Sequence, residues 1–175
     1  PFDVSEAELE RLVLAGVRGI RWNLVRGAQV PDFATKLVQD FLRKLRQYGL
    51  NIEIHLEGPR LGRVLPQLTD QGIKIVVDHF GLPSDPNPRQ DPFVRAVAQL
   101  PDISSLYFKF SAHYRTAFDL HPHAKELLMR IPQDNVVWGS DWPHTQHEQN
   151  ANFAAVAALR NGWEAVSYTH LRAHE

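Results

Sequence analysis

The sequence predicts an α/β protein: a partial (β/α)₈ barrel of about five parallel βα units. Strand-type and helix-type segments alternate five times along the 175 residues, an order that requires parallel strands joined by helical crossovers. A full barrel averages roughly 250 residues, so this chain would form an incomplete one. An open doubly wound sheet is the alternative. It is less favoured because no GxGxxG or P-loop motif follows any strand-type segment.

The first elements are marked by a helix cap and by apolar spacing. Ser5 and Glu8 form a capping-box pattern before an apolar run, and Gly16 stands where that helix should end. Residues 19–25 are rich in β-branched and aromatic side chains and predict a strand. Residues 32–48 carry apolar side chains at helical spacing and predict a helix.

The remaining elements repeat this order. Residues 51–57 alternate apolar and polar side chains, which is typical of a strand. Further strands are predicted over 73–81, 105–111 and 135–141. Helices are predicted over 60–71, 92–100 and 151–162, and another helix is predicted to end at about Arg130. We expect a single domain over residues 1–165, followed by a tail over 166–175 that shows neither periodicity.

The composition is that of an ordinary globular protein. The chain is 43% hydrophobic and 22% charged, with a net charge of −1, so we expect neither nucleic acid nor a membrane surface as a partner. No apolar run approaches the ~18 residues of a membrane span. The chain has no cysteine, which fits a reducing compartment and predicts a cytoplasmic location. The oligomeric state is not predicted.

Side chains that titrate or bind metals gather where the predicted strands end. In chain order they are Arg21, His55, Asp78, His79, Lys109, Ser111, His113, Arg115 and Asp141. The carboxyl ends of parallel strands meet at one edge of a sheet, which is where barrels and open sheets place their sites. The sequence therefore predicts an active site at this edge.

Several of these residues have a second interpretation. Asp141 could cap the next helical turn, although the neighbouring His144 favours catalysis. Asp78 precedes His79, and strand alternation predicts that it points to the opposite face as a structural group. Arg21 lies inside an apolar strand, where an unpaired guanidinium is costly, so we expect a bound carboxylate or a buried acidic partner.

Other histidines and a tyrosine are less informative. His121 and His123 have metal-type HxH spacing, but they lie in a loop that opens a helix and are predicted to be structural. The roles of His113, Tyr114 and His147 stay open.

Imidazoles and a carboxylate around one pocket suit two kinds of hydrolysis. In the first, histidines bind a metal and the aspartate activates water. In the second, a histidine polarises the carbonyl without metal and an arginine holds a substrate carboxylate. No G-x-S-x-G nucleophile elbow is present, which disfavours acyl-enzyme chemistry. Trp138 and Trp142 are predicted to exclude bulk water from Asp141 and to influence its pKa.

Five segments carry a resemblance to a known family. They are GVRGIRWN (16–23), IEIHLEG (52–58), VVDHFGLP (76–83), YFKFSAHYR (107–115) and VVWGSDWPHT (136–145). In this order they resemble the amidohydrolase superfamily, specifically the TIM-barrel, metal-dependent hydrolases related to 2-pyrone-4,6-dicarboxylate lactonase. The resemblance covers residues 3–163. It implies that activated water opens a lactone or related ester of a small carboxylated or sugar-derived substrate.

The resemblance also implies the catalytic pair. Asp141 matches the family's final-strand aspartate, which activates water, and His79 matches the histidine that binds metal or polarises the substrate carbonyl. A divalent metal, zinc or manganese, with His79 and Asp141 among its ligands is one implied cofactor. A metal-free mechanism is the other alternative.

The same resemblance implies substrate contacts. Arg21 and Arg115 fall at the positions of carboxylate-binding arginines, whereas Arg26 is one residue away from a third. His55 lies on a strand that carries a ligand or substrate contact, and His144 is a predicted substrate or supporting contact.

The two ends of the chain depart from the family pattern. The family's first strand carries an HxH pair that has no counterpart after Pro1, and the one methionine is Met129. We therefore expect a piece of a longer protein that lacks the first strands. Residues 166–175 resemble translated adapter sequence and are predicted to be a non-native or disordered tail. Two alternatives to the lactonase remain: a metal-dependent decarboxylase of the same fold, or an inactive incomplete barrel with open edge strands.

Overall fold

A computed structural model describes residues 2–158 and 172–173 of the chain. The strands of its one sheet are β1 (Gly19–Asn23), β2 (Asn51–His55), β3 (Ile75–Val77), β4 (Leu106–Phe110), β5 (Val136–Trp138) and β6 (Arg172–Ala173). The helices are α1 (Glu6–Leu14), α2 (Lys36–Gln47), α3 (Gly58–Thr69), α4 (Pro92–Gln99) and α5 (His121–Leu128), and residues 153–158 are also helical. The alternation of helix and strand is as predicted.

The strands lie in the sheet in the order in which they occur in the chain. Every neighbouring pair from β1 to β6 is parallel. Because crossovers between parallel strands are right-handed, an order without reversal places the crossover helices on one face. A doubly wound sheet needs a reversal of the order. The topology therefore excludes the doubly wound alternative and confirms the barrel-type winding.

The sheet face toward the helices forms the hydrophobic core. Ile54, Val77 and Phe108 are adjacent on three neighbouring strands, and all three are fully buried. Phe93 of α4 packs against them, with its ring centre 6.2 Å from that of Phe108. This packing holds β2, β3 and β4 in register, and so places the ends of these strands side by side.

The opposite face of the sheet is polar. Alternation along the strands turns Arg21, Glu53 and Lys109 to this side, and both cations pair with the Glu53 carboxylate at 2.6 Å. An open cleft of about 450 Å³ lies over these residues. The two faces thus separate the packing from the charged groups.

The strands end earlier than the sequence predicts. The segments 73–81 and 135–141 form strands only over Ile75–Val77 and Val136–Trp138. His79 and Asp141 have left-handed φ angles of 50° and 56°, which an extended strand cannot accommodate. Both residues therefore lie in loops at the carboxyl edge, where loop geometry sets their directions.

Helix boundaries follow their caps. Ser5 accepts a hydrogen bond from the Glu8 amide at 3.2 Å, as the capping pattern predicts. α2 begins at Lys36 rather than at residue 32, because the Asp32 side chain accepts from the Ala34 amide and forms a separate turn. Within the described part of the chain, no helix combines the length and the apolar character needed to cross a membrane.

Most of the predicted tail over 166–175 lies outside the described residues. The exception is Arg172–Ala173, which forms the short strand β6 beside β5, where the sequence predicts no strand.

His121 and His123 have local structural partners, in agreement with their predicted role. His121 opens α5 and contacts the Asp119 carboxylate at 2.6 Å. His123 is fully buried, and its Nε2 lies 2.9 Å from the Asp85 carbonyl oxygen.

We expect His123→Gln to weaken the dependence of stability on pH below about 6.5, the ordinary pKa of histidine. Burial lowers the pKa of His123 in the folded state. The stability that the buried neutral ring contributes is therefore complete above the unfolded pKa and is lost as the pH falls through the folded pKa. Glutamine keeps an N–H donor for the Asp85 carbonyl without titrating. Urea unfolding of both proteins from about pH 7 to 4 checks this, and parallel stability curves would contradict it.

Candidate active site

The turn after β3 brings His79 to the carboxyl edge of the sheet. His79, Phe80, Gly81 and Leu82 all have positive φ angles, between 46° and 74°. A Cβ at Gly81 would lie 2.4 Å from the Phe93 ring, so this position requires glycine for packing as well as for conformation. Phe80 is fully buried and anchors the turn. The DHFG segment is therefore a tight, left-handed turn that fixes the position of the His79 ring.

Asp78 faces the site, and the prediction that it points to the opposite face is wrong. Asp78 is still extended and its amide donates to the Ile54 carbonyl, so alternation places it on the polar face of the sheet. The left-handed φ of 50° at His79 then ends the alternation and brings the His79 ring to the same side. Asp78 Oδ2 lies 3.8 Å from His79 Nε2, and the carboxylate is 1% exposed. Burial alone would raise the pKa of Asp78, but its ion pairs with Lys109 and Arg21 lower it below its ordinary value.

Arg21 has the buried acidic partner that the sequence predicts. Its Nη2 lies 2.5 Å from Asp78 Oδ2, and its Nε lies 2.6 Å from Glu53 Oε1. Lys109 completes the cluster, with Nζ 2.8 Å from Asp78 Oδ1. The side chain of Arg21 is still 42% exposed. A guanidinium has five N–H donors, so Arg21 keeps donors for a ligand.

His79 is deeply buried between acidic and polar groups. Its Nδ1 lies 2.8 Å from Ser111 Oγ, and its Nε2 lies 3.7 Å from Asp141 Oδ1. The His55 ring meets it edge to face at 4.8 Å. Burial lowers the pKa of His79 to about 4, although the charges of Asp78 and Asp141 oppose this effect. The ring is therefore neutral at pH 7.

Asp141 has one occupied carboxylate oxygen and one that faces His79. Oδ2 accepts hydrogen bonds from the Tyr114 hydroxyl at 2.6 Å and from Arg115 Nε and Nη2 at 2.9 and 2.8 Å. The side chain thus binds these residues rather than capping the next turn. Burial would raise the pKa of Asp141, but the hydrogen bonds from Tyr114 and Arg115 outweigh it and lower the pKa. Asp141 is an anion at neutral pH.

Tyr114 and His144 form a contact that sequence reasoning did not identify. The Tyr114 hydroxyl lies 3.0 Å from His144 Nδ1, and the His144 side chain is buried. Burial raises the pKa of Tyr114, and the Asp141 carboxylate adds to this effect. The available signal was the position of Tyr114, immediately before Arg115 and close behind a strand end.

An open cleft of about 530 Å³ lies at the carboxyl edge, and most of the predicted site residues line it. Those lining it include Arg21, Arg26, His55, His79, Arg115 and Asp141. Gln146 and Arg26 form a hydrogen bond across the rim. His144 is placed differently: it lies against Tyr114, beside the Asp141 contact.

The predicted role of the tryptophans is wrong for Trp142. Its side chain is 72% exposed, so it cannot shield Asp141 from bulk water. Trp138 is partly buried, and its ring packs edge to face on Phe153 at 6.4 Å. The residues that surround Asp141 and hydrogen-bond to it are instead Tyr114 and Arg115.

Three buried side chains could hold a metal ion. His55, Asp78 and His79 each place one donor atom within 4.8 Å of the others, and these donor types suit zinc. His55 Nδ1 is buried without a hydrogen-bond partner among the described residues, whereas Asp78 is already paired with Arg21 and Lys109. The two histidines therefore fit an ion better than the carboxylate does. Asp141, a predicted ligand, is not a member of this group.

A sequentially wound parallel sheet with histidine and aspartate at its carboxyl edge is typical of barrel enzymes. The family model described as Amidohydrolase matches residues 2–170, and the chain belongs to this family. The resemblance predicted from the five segments is thereby confirmed.

Two relatives with named activities match the chain. The chain is 27% identical over 157 residues to 2-pyrone-4,6-dicarboxylate hydrolase of Comamonas testosteroni, covering 81% of this chain and 50% of the relative. It is 25% identical over 167 residues to D-galactarolactone isomerase of Agrobacterium fabrum, covering 91% and 56%. The chain thus spans about half the length of the curated relatives it matches.

A solved structure supports the fold. The crystal structure of a probable 2-pyrone-4,6-dicarboxylic acid hydrolase from Acinetobacter baumannii, with citric acid bound, superposes with a TM-score of 0.81 and 26% identity. The match covers 97% of this chain and 64% of that one. The sheet is part of a (β/α)₈ barrel, as predicted.

Proposed function

We propose that the site hydrolyses a lactone that carries a carboxylate, with Asp141 as the general base. The observation that carries the proposal is the pair Asp141 Oδ1 and His79 Nε2, 3.7 Å apart, in a cleft that Arg21, Arg26 and Arg115 also line. The relative named 2-pyrone-4,6-dicarboxylate hydrolase supports hydrolysis, and the relative named D-galactarolactone isomerase supports a lactone as the substrate class.

Asp141 activates water through the oxygen that faces His79. Because Oδ2 already accepts three hydrogen bonds, Oδ1 is the oxygen with capacity to accept a proton. Water attacks the lactone carbonyl carbon, and its proton moves to Oδ1. When the ring C–O bond breaks, the same proton passes to the leaving oxygen. A positioned base of this kind contributes about 10²–10⁴-fold to a rate.

His79 polarises the carbonyl oxygen of the substrate. Its Nε2 faces Asp78 at 3.8 Å and Asp141 at 3.7 Å, and two carboxylates favour a proton on the nitrogen between them. Ser111 then donates its hydroxyl proton to Nδ1. The neutral ring presents an Nε2–H donor to the developing oxyanion, in a buried place where such a bond is strong.

Arginines at the cleft bind the substrate carboxylate. Arg115 uses Nε and Nη2 for Asp141, and Arg21 uses Nε and Nη2 for its acidic partners. Their remaining N–H groups are suited to an anionic ligand. We also assign His55 and His144 to the surroundings of the substrate, His55 at the cleft wall and His144 behind Tyr114.

His55 and His79 are the residues that would hold a metal ion. Imidazole donors favour zinc, whereas manganese prefers oxygen ligands. A bound zinc ion would supply Lewis acidity to the carbonyl oxygen, in place of the Nε2 proton.

The test is an assay of acid release from 2-pyrone-4,6-dicarboxylate and from the same ring without carboxylates, with chelator or with added zinc. We expect acid release without CO₂, with a preference for the carboxylated lactone and competitive inhibition by citrate. Calorimetric binding of citrate to this chain gives a second readout that needs no turnover. CO₂ release would favour the decarboxylase alternative, and a folded protein that neither opens lactones nor binds citrate would contradict the proposal.

A further inference from the structure

We infer that Tyr114 and His144 are positioning residues that determine which oxygen of Asp141 faces the substrate. The inference rests on the proposed function, because it explains how the base is held. The Tyr114 hydroxyl is 2.6 Å from Asp141 Oδ2 and 3.0 Å from His144 Nδ1. Tyr114 therefore bridges a carboxylate and an imidazole.

Counting protons gives this contact a direction. A phenol has one proton to donate, and an ionised carboxylate only accepts. The Tyr114 proton therefore goes to Asp141 Oδ2, so the contact with His144 requires an Nδ1–H that donates to the phenol oxygen. The resulting relay runs from His144 Nδ1–H to Tyr114 O–H and on to Asp141 Oδ2.

The relay orients the Asp141 carboxylate. Oδ2 receives the Tyr114 bond and both Arg115 bonds, which leaves Oδ1 toward His79 Nε2. Without Tyr114, Arg115 would be the one hydrogen-bond donor among the described residues that still holds Oδ2 and restricts rotation about the Cβ–Cγ bond. Tyr114 thus keeps the basic oxygen next to the group that polarises the substrate.

The backbone from Asp141 to His144 forms a tight turn that permits this contact. Asp141 and His144 have left-handed φ angles of 56° and 63°, and the His144 amide donates to the Asp141 carbonyl at 2.7 Å. This tight turn returns His144 to Tyr114. Two non-glycine residues in the left-handed region are costly, and the turn brings both side chains to one hydroxyl.

Neighbouring rings pack around Tyr114. Three imidazoles meet it, those of His113, His144 and His147, at ring distances of 5.5, 5.5 and 5.1 Å. His144 is 4% exposed, and its Nε2 has no hydrogen-bond partner within the described part of the chain. Nδ1 is thus the ring nitrogen of His144 that the described structure uses.

The test is steady-state kinetics of Tyr114→Phe on the substrate that the proposed function identifies. Phenylalanine keeps the ring and removes the hydroxyl. We expect kcat to fall on the order of 10²-fold, the effect of a misplaced reacting group, with KM changed less than about twofold because Tyr114 binds Asp141 rather than substrate. The control Tyr48→Phe, at the end of α2, should match the unaltered protein. A rise in KM at constant kcat would overturn the inference.

His144 is tested with an isosteric pair. Asparagine and aspartate both tolerate a left-handed φ, but only asparagine has an N–H near the position of Nδ1. We expect the kcat of His144→Asn to exceed that of His144→Asp by tenfold or more. Equal kcat values would overturn the donor assignment. Nitrogen NMR of the unaltered protein gives an independent answer, because the proton should be on Nδ1 of His144, and its absence there would overturn the relay.

Failure of this inference is distinguishable from failure of the proposed function. If Asp141→Asn is inactive while Tyr114→Phe retains the original kcat, only the positioning role is overturned. If Asp141→Asn retains full activity, the proposed function fails and the positioning role fails with it.

Discussion

Asp141→Asn is expected to lower kcat/KM by about 10²–10⁴-fold, the contribution of a general base. Asparagine has nearly the same shape as aspartate and tolerates the φ of 56° at this position. Its carbonyl oxygen can still accept from Arg115. It cannot take a proton from water, however, so the loss should appear in kcat rather than in KM.

Folding of this variant must be measured alongside its activity. We expect the variant to remain folded, with cooperative urea unfolding, because its contacts with Tyr114 and Arg115 are partly retained. Asp40→Asn is the matched control, since Asp40 pairs with Lys36 on the exposed surface of α2. Full activity in Asp141→Asn would contradict the assignment of the base.

Asp78→Asn is expected to destabilise the fold by about 2–4 kcal/mol. Removing one partner of a buried ion pair typically costs about 3–5 kcal/mol, because the other charge is left without compensation. Asp78 is 1% exposed and pairs with both Arg21 and Lys109. The expected cost is below the full range because Arg21 is partly exposed and both cations keep Glu53.

The urea midpoint at constant m value measures this cost. A double-mutant cycle with Lys109→Met isolates the pair, because residues in one network couple by about 0.5–3 kcal/mol. We expect Lys109→Met to cost less in the Asp78→Asn background than in the original protein. Strict additivity, or an Asp78→Asn variant as stable as the original, would show that the cluster does not stabilise the sheet.

The fold could be predicted because its signals are local. Apolar spacing and caps identified the order of helices and strands, and parallel strand pairing then required their carboxyl ends to share one edge. That rule alone brought His55, His79, Arg115 and Asp141 to one cleft. Strand limits were less predictable, because His79 and Asp141 leave the extended conformation through loop angles that their residue types do not reveal.

The direction of side chains beyond the strand ends was not predictable. Alternation predicted Asp78 and His79 on opposite faces; it holds for Asp78, whose amide still donates to the Ile54 carbonyl, and it fails at His79, where φ becomes left-handed. Trp142 is adjacent to Asp141 in sequence, yet it points into solvent. Proximity along the chain was therefore a poor guide to the environment of the base.

By itself, the sequence determined the βα order, the family and the residues that could carry out hydrolysis, because each of these depends on residue type and spacing. Only the tertiary structure decided which partners hold them. Asp141 is oriented by Tyr114, 27 positions away, and Asp78 by Arg21, 57 positions away. Such contacts depend on loop dihedral angles and on hydrogen-bond geometry between distant segments, and these become defined when the chain packs.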